Sequence, residues 1–114
     1  MSAEYQRINR FGFAEYDDMA GLVREADLPA LVETLRRIVA LVLAEDETGL
    51  AEVMSMEAQA DFAVPLGMAA EMLEDGGYSD GELVSAACTV RCSAERHTTE
   101  FPRELTDLLL RLPR

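Results

Sequence analysis

Apolar side chains recur at steps of three and four along nearly the whole chain, and that periodicity restricts the fold to packed helices. The strongest stretch starts at Asp27. Its carboxylate suits an N-cap, and Pro29 falls in the first turn, where a missing N–H does no harm. The helix that follows, from Leu28 to about Asp46, begins amphipathic, with Leu28, Leu31, Leu35, Ile38 and Val39 inward. From Ile38 to Ala44 it is apolar all round, which predicts a central helix buried on several sides.

The same spacing predicts helices on either side. Residues 15–26 set Tyr16, Met19, Ala20, Val23 and Ala26 on one stripe. A third helix is expected from about Thr48 to Ala60, with Leu50, Val53 and Met54 inward, and a fourth with Phe62, Leu66, Ala69 and Leu73 inward. Pro65 belongs in the first turn of that fourth helix or kinks its join with the third. Gly76-Gly77 ends it, since glycine takes the left-handed C-cap conformation without strain. Ser79-Asp80-Gly81-Glu82 reads as a capping box. The helix it opens should reach about Ala94 and bury Leu83, Ala87 and Val90. Pro102 opens a last helix with Phe101, Leu105, Leu108 and Leu112 on one face. Residues 1–14, with Tyr5, Ile8, Phe11 and Phe13, suit a short helix or an extended N-terminal arm. The expectation is all-α: one compact domain over residues 1–114, a bundle of five or six short helices in which sequence neighbours pack side by side.

A chain of 114 residues can bury one core without disulfide or metal staples, and its two cysteines are too few for a secreted disulfide scaffold. The start of the chain lacks the apolar stretch of a signal peptide. The longest apolar run, Ile38–Ala44, falls far short of the ~20 residues that span a bilayer. A soluble, cytoplasmic protein is therefore expected. All ten basic residues are arginine, which rules out Schiff-base lysines and phosphate-loop lysines.

Charge carries the functional reading. Between Arg37 and Arg91 there is no lysine, arginine or histidine, while 11 carboxylates fall there and supply −11 of the formal net charge of −12. Such a field repels nucleic acid and anionic lipid and attracts basic surfaces. Glu45-Asp46-Glu47 lies at an expected helix C-terminus, where acids oppose the helix dipole by roughly 0.3–1 kcal/mol each. Acids placed against the dipole suit a role other than folding. The expected function is binding, and neutralising or regulating, a basic protein partner, as immunity proteins and antitoxins do. Glu45, Asp46, Glu47, Glu52 and Asp75 are the expected contacts. The alternative is an adaptor or regulatory module binding through an apolar groove around Met54, Met56, Met68 and Met72. The apolar content would also allow a homodimer through an exposed helix face.

Other constellations favour structural readings. Counting back from Glu82 as the last ligand of a calcium loop puts Glu71 first and Leu73, with no side-chain oxygen, third; a glycine C-cap followed by a capping box accounts for every residue there. Cys88 and Cys92 share one helix face, a spacing poor for a disulfide and short of ligands for a metal, so small core-facing thiols are expected. His97, the single histidine, sits in an expected loop with no serine or cysteine motif aimed at it. Carboxylate pairs such as Glu57 with Asp61 and Glu71 with Glu74 read as surface. No catalytic residue, metal or cofactor is expected, and direct nucleic-acid binding is disfavoured because the C-terminal arginines alternate with acids.

Overall fold

The computed structural model describes residues 6–8, 14–16, 20–43, 55–97, 99 and 101–113. Among them, five helices form an all-α bundle: α1 (Ala20–Glu25), α2 (Leu28–Leu43), α3 (Met56–Asp75), α4 (Asp80–Glu95) and α5 (Arg103–Leu109). A two-stranded antiparallel hairpin, β1 (Gln6–Ile8) and β2 (Ala14–Tyr16), precedes them, with Gln6 opposite Tyr16 and Ile8 opposite Ala14. The N-terminal arm is thus extended where it is described. Tyr16 lies in β2, outside the helix expected over 15–26, which begins only at Ala20. Pairing with β1 supplies ladder partners that a short apolar stripe cannot outweigh.

Local signals set the helix ends. Asp27 Oδ1 accepts from Ala30 N–H at the start of α2. Ser55 Oγ accepts from Ala58 N–H and caps α3. Ser79 Oγ accepts from Glu82 N–H and caps α4, as the capping-box reading requires. Gly76 ends α3 at φ 71°, ψ −164°, a backbone region open essentially to glycine, and its N–H donates to Met72 O. Glu71, Leu73 and Asp75 therefore lie inside a regular helix, where they cannot wrap a calcium ion.

The helix expected to begin near Phe62 instead starts at Met56 and runs unbroken for 20 residues, with Pro65 in its interior. Pro65 has no N–H to offer the Asp61 carbonyl one turn back. The burial of Ala58, Phe62, Leu66, Ala69, Met72 and Leu73 along one side holds the helix through that gap.

The central position also differs. Gly81 through Ala87 are seven consecutive buried residues of α4, and this helix packs against α1, α2, α3 and β2. Gly81, Ser85, Ala86 and Ala87 are small enough for neighbours to close in from every side. Hydropathy pointed to α2, but among its apolar side chains that are described only Leu31, Leu35 and Ile38 are buried. Val39, Leu41 and Val42 are half-buried and Ala40 is exposed. α5 adds Leu105, Leu108 and Leu109 to the core and packs on α2, with Phe101 and Leu112 buried at its two ends.

Candidate functional site

The long helix α3 sorts its side chains cleanly by face. Opposite the buried stripe, Glu57, Ala60, Val64, Gly67, Glu71 and Glu74 follow at steps of three and four, all exposed, and Asp75 ends the same face. At 1.5 Å per residue this face is about 30 Å long. It carries acids toward both ends and no basic residue, with a small, apolar middle around Val64, which is 63% exposed. Glu74 and Asp75 sit in the last turn, against the helix dipole, in the unfavourable placement read from the sequence for Glu45-Asp46-Glu47. On one flank Glu74 shares a groove of about 380 Å³ with Arg36, Val39, Ala70 and Leu73.

Of the five expected contacts, Asp75 is placed, exposed, at the C-terminal end of α3. Glu45, Asp46, Glu47 and Glu52 lie outside the described residues, as does the helix expected from Thr48 up to Met54. The arginine–carboxylate pairs at Arg37–Glu33, Arg91–Glu95 and Arg103–Asp107 are i,i+4 contacts within α2, α4 and α5. Each uses an acid from outside the cation-free segment.

Two acids of that segment are drawn toward the bundle: Glu82, buried in the first turn of α4, and Asp61, which is half-buried. The Nε2–H of His97 donates to Asp61 Oδ2 at 3.1 Å, since an ionised carboxylate offers only acceptors. His97 follows the end of α4, is only 8% exposed, and packs as an internal tie between α3 and the chain leaving α4. Beside it, Phe62 and Phe101 stack at a centroid separation of 5.3 Å and a 41° tilt. Sequence reading set His97 in a loop and Asp61, paired with Glu57, on the surface. Their meeting was recoverable from the helical hairpin: counting outward from Gly76-Gly77 along α3 and α4 brings residues 61 and 97 level to within about one turn.

Methionine and cysteine positions sharpen the picture. Met72 is fully buried and Met68 packs half-buried on the core, while Met56, at the opposite end of α3, is 86% exposed. They do not line a shared groove, and Met54 lies outside the described residues. Cys88 is half-buried against the core, but Cys92 is exposed, contrary to the expectation of two core-facing thiols. Burial, then the neighbouring Cys92, push the Cys88 thiol up, with Arg91 pulling weakly the other way. Among the described residues no three His, Cys, Asp or Glu side chains converge as metal ligands, and no helix is long and apolar enough to cross a membrane.

Set against protein-family models, curated proteins and solved structures, the chain matches none.

Proposed function

We propose that this chain binds a basic protein partner through the outer face of α3 and so neutralises or regulates it, in the manner of an immunity or antitoxin-type inhibitor. The observation that supports this is the face itself: Glu57, Glu71, Glu74 and Asp75 on one exposed side of a helix without a single cation, around an apolar middle at Val64. An apolar centre with a charged rim is how protein-binding patches are built. Glu45, Asp46, Glu47 and Glu52 add four charges just before α3 in the chain. Their field would speed encounter with a cationic surface and select against acidic ones more than it would strengthen the final complex. His97 is buried and tied to Asp61, and the reading gives it no catalytic step.

Affinity capture from the source cells tests it. The wild-type chain is compared with the triple variant Glu71→Gln, Glu74→Gln, Asp75→Asn, at low salt and at salt high enough to shrink the Debye length well below about 10 Å. Basic proteins should be retained by wild type at low salt, released at high salt, and captured about tenfold less by the variant. Retention of only neutral or acidic partners, or capture indifferent to both salt and substitution, would refute the reading.

A further inference from the structure

Between Glu57 and Glu71 every exposed residue of α3 is small and apolar: Ala60, Ala63, Val64 and Gly67. The two acids frame this strip at an axial separation of about 21 Å, and neither pairs with an arginine among the described residues. Gly67 is the residue that the fold of this chain does not account for. Glycine is less favourable in a helix interior than any residue except proline. The backbone at Gly67 is ordinary helix, without the positive φ that calls for glycine at Gly76. A Cβ built there meets nothing within 4 Å. Alanine would fit and would strengthen the free helix, so packing within the chain gives no reason for glycine. A neighbour approaching closely from outside does.

We propose that this strip seats a basic α-helix of the partner, which crosses α3 most closely at Gly67 and sets cations against Glu57 and Glu71. The proposal rests on the reading of the outer face of α3 as the binding face, and adds which kind of element binds there. An extended segment laid over Ala60, Ala63 and Val64 would find no partners for its own N–H and C=O groups, whereas a helix brings its hydrogen bonds with it. A large apolar side chain of the visiting helix would fill the space that the missing Cβ of Gly67 leaves open. The framing acids select the charge of that helix. A second copy of α3 centred on the strip would set Glu57 and Glu71 against acids in either direction, so the occupant is a foreign, cationic helix.

Fluorescence anisotropy with two synthetic peptides tests the seat. One probe is an amphipathic helix with leucines along one stripe and arginines about 21 Å apart; its twin has the same charge and a proline at its centre. Wild type should bind the helical probe at least about tenfold tighter than the twin. Gly67→Leu, with every acid in place, should lose about tenfold for the helical probe and little for the twin. Gly67→Ala should raise the melting temperature of the free chain while weakening the helical probe. Glu57→Gln combined with Glu71→Gln should weaken both probes and flatten their salt dependence. Equal affinity for the two probes, or undiminished binding of the helical probe by Gly67→Leu, would overturn the helix seat and leave the charge reading standing. Binding indifferent to salt and to the paired glutamines would overturn the charge reading, and with it the basic character of the visitor. A helical probe that wild type does not bind, or a wild-type dimer that Gly67→Leu dissolves, would also overturn the proposal.

Discussion

Arg91 holds the end of the fold together. Its Nη1 donates to Leu110 O at 3.2 Å and also to Leu112 O, while its Nε donates to Glu95 at 3.3 Å. The turn after α5 leaves carbonyls without helical donors, and the guanidinium on α4 supplies them, with its charge suited to a helix C-terminus. Arg91→Ala should lower stability by about 1.5–3 kcal/mol, seen as an earlier urea midpoint. Arg91→Lys should recover less than half, since one ammonium would have to replace two nitrogens, Nη1 at the carbonyls and Nε at Glu95. A midpoint unchanged in both variants would show that the carbonyls are satisfied without it. The neighbouring thiols should also separate chemically. Iodoacetamide at neutral pH should alkylate Cys92 well before Cys88, which is half-buried and whose thiol is held protonated. Because folding raises the Cys88 pKa, the unfolded chain loses that proton first. The stability tied to the neutral thiol is complete below about pH 9 and declines as pH rises beyond it. Cys88→Ala should flatten that alkaline decline in a pH series of melting temperatures.

At the level of elements, α4 determines what the bundle can tolerate. Neighbours enclose its Gly81–Ala87 stretch because Gly81, Ser85, Ala86 and Ala87 leave them room. Ala87→Leu should destabilise by about 1–3 kcal/mol through overpacking, whereas the same change at exposed Ala63 should stay within about 0.5 kcal/mol. Equal effects in thermal melts would mean that α4 is not tightly enclosed. The caps at Ser79 and Gly76 were readable from sequence because each depends on residues only a few positions apart. The central place of α4 was not, because small side chains raise hydropathy little while permitting the closest approach. Hydropathy favoured α2, where Ile38 is buried but Val39, Leu41 and Val42 are only half-buried. The break expected near Pro65 failed for a similar reason: proline weakens a helix locally, but a long buried stripe on both sides of it carries the helix onward.

At the scale of the whole molecule, most of the acids of α3 are set apart from its core. Glu57, Glu71, Glu74 and Asp75 keep to the outer face, while Asp61 at its edge reaches His97, so a charge pattern seen in one dimension becomes a face in three. Of that face, sequence reading named only Asp75 as a contact, although helical spacing also lines up Glu57, Glu71 and Glu74. The His97–Asp61 tie was not legible, because it joins residues 36 positions apart and needs the register of two packed helices. The net charge vanishes near the sequence pI of 4.3, so solubility should pass through a minimum there, and salt-sensitive capture of basic proteins should fade as pH falls toward it. Turbidity and capture across a pH series measure both. Capture still strong at pH 4 would detach recognition from the carboxylates.

The packing of α5 on α2 also sets a timetable. Sixty positions separate Leu43 from Arg103, so at ribosomal rates of about 5–20 residues per second α2 emerges some 3–12 s before the helix that covers it. During that interval α3 and α4 can dock on α2, but the side that α5 will cover stays bare, and a chaperone that recognises short aliphatic segments would find a target there.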